Sequence, residues 1–168
     1  MCRVTGGSDW NILDSPYVVS INYYGEYECV GSLITFWHVV TAGHCLINLD
    51  ENHITVAAGV SDVRDIQQNG QSRNALRIRY APNFNSTTLD LDIAVIKVSE
   101  PFEECDTIKT IQLCCSKLTP RTAMRVSGWG LTAPGNEDVP FILQSAVLYI
   151  LKKDECVDRY ATTGVFFN

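Results

Sequence analysis

The stretch "CVGSLITFWHVVTAGHC", residues 29–45, is a long apolar run that ends on a histidine and a cysteine. Its Val, Ile, Thr, Phe and Trp residues are those that β-strands favour. His44 near its end has three interpretations: a catalytic base, a metal ligand, or a polar residue at the end of a strand. The choice among them depends on partners elsewhere in the chain.

Similar short runs follow one another along the sequence, separated by Gly, Pro and Asn. This spacing predicts an all-β sandwich or barrel. A helix is expected only after Lys152, where "KKDECVDRY" is polar and nearly free of β-branched residues. The predicted strands lie within residues 17–25, 28–42, 53–59, 75–80, 92–98, 123–130 and 143–151.

An acidic stretch that contains Pro101, "SEPFEECDTIKT" at 99–110, indicates a boundary within the chain. It separates a first half with about six strands from a second half with two or three. Two or three strands cannot close a barrel, so we expect the second half to be incomplete. A length of 168 residues suits one ordinary domain, or two small β-barrels that share an interface.

Composition favours a secreted globular protein. The net charge of -6 argues against nucleic acid as a partner, and no apolar run approaches the length of a membrane span. Seven cysteines and the glycosylation sequon Asn85-Ser86-Thr87 indicate the secretory route. The opening "MCRVTGG" does not resemble a signal peptide, so we expect that a leader was removed or that the sequence begins late.

Four motifs in order resemble the chymotrypsin-like serine peptidases, the trypsin family: "RVTGG" (3–7), "CVGSLITFWHVVTAGHC" (29–45), "DLDIAVIKV" (90–98) and "VSGWG" (126–130). The resemblance implies an all-β fold of two barrels, the first complete and the second incomplete. It implies a pro-segment at 1–3 and a peptidase domain at 4–168, with the first barrel at 4–100 and the partial second barrel at 111–168.

By the same resemblance His44 is the general base and Asp92 is the acid that orients it. Imidazole has a pKa near neutrality, as a general base requires, and a carboxylate opposite its other nitrogen fixes the tautomer. Gly43 stands where the family most often has alanine, but it is small as well. The alternative for Asp92 is a plain turn cap, a common use of aspartate.

No metal or other cofactor is expected. His38, His44 and Cys45 lie close in sequence, but no second Cys or His cluster has zinc-site spacing. The acidic ligand positions of the family's calcium loop fall on Val60 and Gly70, and a hard cation needs oxygen ligands.

The resemblance also implies two covalent events. Cys45 matches a disulfide to Cys29 that would contribute about 3 kcal/mol by closing a loop around the histidine. Cleavage of the Arg3–Val4 bond by an activating peptidase would free a new N-terminus, which in this family orders the substrate site. Cys2 could tether the pro-segment. The pairing of Cys2, Cys105, Cys114, Cys115 and Cys156 stays open.

No "GDSGG" motif, which carries the nucleophilic serine in this family, occurs in these residues. Either the sequence is an incomplete record of a serine endopeptidase, or it is a non-catalytic homologue that acts as a binding protein. Because both His44 and Asp92 are present, we favour the first explanation. We expect a secreted, extracellular, monomeric peptidase that acts on polypeptides, does not bind nucleic acid or membranes, and has no activity as the 168-residue chain alone. Its substrate side-chain preference is open.

Overall fold

The computed structural model describes residue 4, residues 6–114, residue 116, residues 118–131 and residues 140–160. These residues form nine β-strands, two α-helices and several short 3-10 turns. The strands are β1 (Ser8–Asp9), β2 (Val18–Tyr23), β3 (Glu26–Thr35), β4 (His38–Thr41), β5 (Ile54–Ala58), β6 (Gln71–Tyr80), β7 (Ala94–Val98), β8 (Ala123–Gly128) and β9 (Gln144–Tyr149). The helices are α1 (Ile66–Asn69) and α2 (Lys153–Tyr160).

Six of the strands close into an antiparallel barrel in the order β2-β3-β4-β7-β6-β5. The barrel is closed because β2 pairs with β3 on one side and with β5 on the other. This confirms the prediction of an all-β fold with a complete first barrel.

The barrel interior is filled by branched aliphatic side chains. Six that are fully buried are Val19, Ile21, Leu33, Val39, Val56 and Ile96. Burial of each contributes about 1.5–3 kcal/mol. These side chains come from five of the six strands, and Ala75 and Ile78 of the sixth, β6, pack against them while partly buried.

The apolar run at 28–42 does not form one strand. It divides into β3 and β4 at a turn that contains no glycine or proline. The hydroxyl of Thr35 accepts a hydrogen bond from the Trp37 backbone N–H at 3.1 Å, and it lies 2.9 Å from Nδ1 of His38. A threonine side chain therefore supplies the turn.

The second half forms an open three-stranded sheet in the order β1-β9-β8. Its two long strands match the predicted runs, and its third strand comes from the N-terminal segment, because Ser8 and Asp9 pair with β9. These two residues lie within the range 4–100 assigned to the first barrel, and the domain ranges stay predictions. The helix expected after Lys152 is confirmed as α2.

A second apolar cluster joins the open sheet to the barrel. Ile12, Val18, Trp129 and Leu143 are its buried members. The Trp129 indole N–H donates to the carbonyl of Ser61 at 3.0 Å, so its one polar atom is satisfied. Among the described residues, no helix has the length and apolar character needed to cross a membrane.

Strand pairing brings the two predicted site residues together. β4 pairs with β7, and Thr41 at the end of β4 lies opposite Ala94 at the start of β7. His44 follows Thr41 by three residues, and Asp92 precedes Ala94 by two. Because the strands are antiparallel, both residues emerge at the same end of the barrel.

Candidate active site

His44 lies on a short 3-10 turn, Gly43–Leu46, directly after β4. Its neighbours Gly43 and Cys45 are buried, whereas 41% of the His44 side-chain surface is exposed. The turn therefore presents one exposed imidazole on a buried backbone. This is suitable for a group that must meet a substrate.

The Cys29–Cys45 disulfide anchors this turn to β3. The two Cα atoms are 6.0 Å apart, and the bridge joins residues separated by 16 positions. The pairing implied by the family resemblance is therefore confirmed. A closed loop of this length contributes about 3 kcal/mol in the chain-entropy account.

Asp92 contacts His44 at two points. Its Oδ1 accepts the backbone N–H of His44 at 2.7 Å, and its Oδ2 lies 2.6 Å from the ring nitrogen Nδ1. One oxygen thus positions the backbone of the turn, and the other fixes the rotation of the imidazole.

The electrostatics of Asp92 determine the tautomer of the ring. Partial burial raises the pKa of this carboxyl group, but hydrogen bonds from the ring and backbone of His44 outweigh burial, and the net pKa is lowered. An ionised carboxylate can only accept, so Nδ1 carries a proton and donates it. In the neutral imidazole, Nε2 is then the basic nitrogen, and it lies 3.7 Å from the Cys45 sulfur.

The backbone before Asp92 is unusual. Leu89 and Leu91 both have positive φ, +58° and +54°, in a region that leucine rarely occupies. The N–H of Ile93 donates to the carbonyl of Leu91 at 2.7 Å, which closes a tight turn centred on Asp92. Strained backbone of this kind is found where the surroundings fix a functional side chain.

Two aromatic residues that sequence reasoning did not single out complete the support of the turn. The Tyr80 hydroxyl donates to the carbonyl of Leu46 at 2.9 Å, and the Phe84 ring lies parallel to Tyr80 at 5.6 Å between centroids. The Phe84 ring also packs on Gly43, since a Cβ there would lie 2.9 Å from two ring atoms. No periodicity in the sequence indicates this contact, because it depends on the path of the loop after β6.

The two cysteines beside His44 cannot serve with it as metal ligands. The ligand atoms of Cys29, His44 and Cys45 all lie within 4.8 Å of one another. The two sulfurs are bonded to each other, so neither is a free thiolate. Nδ1 of His38 is engaged by the Thr35 hydroxyl.

The predicted activation segment is described only in part. Val4 is buried, its N–H donates to the carbonyl of Leu131 at 2.9 Å, and its own carbonyl accepts the N–H of Gly7 at 3.0 Å. Arg3 lies outside the described residues, so cleavage after it stays a prediction.

The remaining sequence predictions are not decided by the structure. Cys105, Cys114 and Cys156 are unpaired within the described part of the chain, and Cys2 and Cys115 lie outside it. Of the two positions considered for calcium, Val60 is buried and Gly70 follows α1, and neither side chain offers an oxygen.

Comparison with known proteins gives one consistent family. The Trypsin family model matches residues 4–167. Trypsin from Sus scrofa is 34% identical over 158 residues, which cover 94% of this chain and 66% of the relative. Seminase from Drosophila melanogaster is 31% identical, with 94% and 57% covered, and anionic trypsin from Canis lupus familiaris is 34% identical, with 94% and 62% covered. The chain therefore spans about three fifths of the length of these curated relatives.

Proposed function

Because the chain belongs to the trypsin family, we propose that it carries the general base and the orienting acid of a serine endopeptidase. His44 is the base, and Asp92 holds and stabilises it. The observation that carries this proposal is the two-point contact, in which one carboxylate accepts both the backbone N–H and the Nδ1–H of the same histidine. A turn cap would need only the first of these hydrogen bonds.

The proposed reaction is acyl transfer to a serine and then to water. Nε2 of His44 takes the proton of the serine hydroxyl while the oxygen attacks the peptide carbonyl, and it then gives that proton to the departing amine. Water attacks the resulting ester with the same base, which releases the acid and regenerates the serine. Asp92 keeps Nδ1 protonated and stabilises the imidazolium formed in each step.

The serine is proposed to come from residues outside these 168. No "GDSGG" occurs within them, and the curated relatives are longer than this chain. The 168-residue chain alone is accordingly expected to lack peptide hydrolysis, since the base and its acid have no nucleophile to activate. The substrates are polypeptides of open side-chain preference.

Activation and location form the second part of the proposal. A peptidase that cuts after Arg3 would free Val4 as a new N-terminus, and the protein would act outside the cell as a monomer. The Cys29–Cys45 disulfide supports this location, because such bridges persist in oxidising compartments. The net charge of -6 gives no support for a nucleic-acid partner.

The experiment begins with the transcript beyond the codon for Asn168. We expect an in-frame "GDSGG", and we expect the activated product of the whole reading frame to be labelled by a fluorophosphonate probe. His44→Ala should abolish this labelling, because the serine is then not activated. His53→Ala is the matched control, since His53 pairs with Asp50 and stacks on Tyr24.

Two results would contradict the proposal. A stop codon directly after Asn168 would favour the alternative, a non-catalytic homologue that acts as a binding protein. Fluorophosphonate labelling of the purified 168-residue chain would show that a nucleophile lies within these residues.

A further inference from the structure

We propose that Asn85 is N-glycosylated and that its glycan stands at the rim of the candidate active site, beside His44. The inference rests on the proposed function in two respects, since glycan transfer requires the secretory route and the measurement of access requires the proposed peptidase activity. It otherwise depends on three observations about the loop that joins β6 to β7: a complete sequon, its exposure, and its connection to the histidine turn.

The sequon Asn85-Ser86-Thr87 is exposed and its reactive groups are free. Oδ1 of Asn85 accepts the backbone N–H groups of Thr87 at 2.8 Å and Thr88 at 3.1 Å. These bonds fix the side chain through its oxygen and leave Nδ2 without a partner among the described residues. The Thr87 hydroxyl is also without a partner there, and all three sequon residues are exposed. A glycan on Nδ2 therefore projects into solvent and displaces no contact of the folded chain.

The loop itself places the sequon beside the site. Phe84, the residue before the sequon, packs its ring on Gly43, which directly precedes His44. The backbone N–H of Asn85 donates to the carbonyl of Asp90 at 3.0 Å, two residues before Asp92. Asn85 is thus one residue from a contact with the histidine turn, and it is hydrogen-bonded to the segment that carries the orienting acid.

The modification follows ordinary glycosyl-transfer chemistry. Nδ2 of Asn85 forms a bond to the anomeric carbon of an oligosaccharide carried on a lipid diphosphate. The anomeric C–O bond breaks, the lipid diphosphate leaves with the electron pair, and Nδ2 loses one proton. A bulky, hydrated group then occupies the surface beside His44.

The glycan restricts the access of large molecules, but not of short peptides, to the candidate active site. Because the glycan is anchored on the loop that packs against the histidine turn, a protein-sized substrate or inhibitor meets it, whereas a short peptide does not. We expect enzymatic removal of the glycan to raise kcat/KM several-fold for a protein substrate and to leave kcat/KM for a tripeptide amide unchanged.

The test is to secrete the full reading-frame product from insect cells and to measure its mass before and after treatment with peptide-N-glycosidase. We expect a loss of glycan mass and conversion of Asn85 to aspartate. Thr87→Ala should lose the glycan while the hydrogen bonds to Asn85 Oδ1 remain, since they come from backbone N–H groups. Ser86→Ala and Thr87→Ser keep a valid sequon and should stay glycosylated.

The outcomes separate this inference from the proposed function. A secreted protein without glycan at Asn85 would overturn the inference alone. A glycosylated protein whose kcat/KM for the protein substrate is unchanged by deglycosylation would overturn the claim of selective access. A chain retained in the cytosol would contradict the proposed secretion, and the glycan assignment would fail with it. If Thr87→Ala does not fold, the mass change in the wild type still decides.

Discussion

Asp92 holds His44 by two separate oxygens, one on the backbone N–H at 2.7 Å and one at 2.6 Å from Nδ1. The first contact fixes where the histidine turn lies relative to β7. The second fixes the ring and leaves Nε2 as the basic nitrogen. A single side chain thus controls both the position and the proton of the proposed base.

Asp92→Asn should preserve the shape of this contact and reverse the direction of the hydrogen bond to Nδ1. An asparagine can donate to Nδ1 through its amide, so the neutral ring then carries its proton on Nε2. In the complete enzyme we expect kcat to fall by about 10⁴-fold, the size of effect known for the equivalent change in a serine-peptidase triad. In the 168-residue chain, the ¹⁵N shift of Nδ1 of His44 should move to the value of an unprotonated ring nitrogen. That of Nε2 should move to the value of a protonated one.

The matched control for that substitution is Asp50→Asn. Asp50 lies 3.7 Å from Nε2 of His53, so this second aspartate also lies beside an exposed histidine, but away from His44. We expect Asp50→Asn to leave the His44 resonances of the 168-residue chain and the activity of the complete enzyme unchanged. Unchanged His44 ring shifts in Asp92→Asn would contradict the assigned tautomer.

Removal of the Cys29–Cys45 bridge should destabilise the chain. In the double variant Cys29→Ala/Cys45→Ala we expect the free energy of unfolding to fall by about 3 kcal/mol, because the unfolded chain regains the entropy of an open loop. Urea denaturation monitored by tryptophan fluorescence measures this loss. Cys114→Ala changes an exposed cysteine that is unpaired within the described part of the chain, and it should leave the midpoint almost unchanged. Equal midpoints in all three proteins would disprove the anchoring role.

The barrel could be predicted from the sequence because most of its strands carry β-branched or aromatic runs, and those patterns do not depend on distant residues. Three features could not. The break between β3 and β4 depends on the Thr35 side chain, the short strand β1 exists only by pairing with β9, and the Trp129 cluster joins residues far apart in the chain. The first is a local side-chain hydrogen bond that strand propensities do not reveal. The other two depend on contacts between residues far apart in the chain.

The candidate site, like the fold, could be predicted only in part. His44 and Asp92 were predicted because motif residues in family order carry them, and their catalytic roles stay predictions. The contact of Phe84 with Gly43 was not predicted. It depends on the path of the loop after β6, in which Leu89 and Leu91 have positive φ, and leucine at a position gives no indication of such a conformation.

Gly43→Ala should disturb the histidine turn although alanine is common at this position in the family. The new Cβ would lie 2.9 Å from Cε1 and Cζ of Phe84, so the ring must shift. Overpacking of this kind costs about 1–3 kcal/mol. The free energy of unfolding, measured in urea, should fall by that amount.

A second substitution tests the cause of that loss. Gly43→Ala combined with Phe84→Leu should recover much of the stability, since the smaller side chain leaves room for the methyl group. Gly128→Ala is the control, because its Cβ would be an ordinary 3.5 Å from Val30. Additive losses in the double variant would show that Phe84 is not the obstacle.

Acid stability should depend on the pair that Asp62 forms with Arg64. Hydrogen bonds from the Arg64 side chain, and then from its backbone N–H, lower the pKa of Asp62 from 3.8 to about 2. Because the pKa is lower in the folded chain, the unfolded chain binds the proton first as the pH falls. The pair therefore stabilises the fold above pH 3.8, and this contribution is lost as the pH falls through about 2.

Urea midpoints measured between those pH values should decline less steeply in Asp62→Asn than in the wild type. Asp14→Asn, at an exposed residue on the turn before β2, should keep the wild-type slope, and identical slopes in Asp62→Asn and wild type would rule out the pair as a source of acid sensitivity.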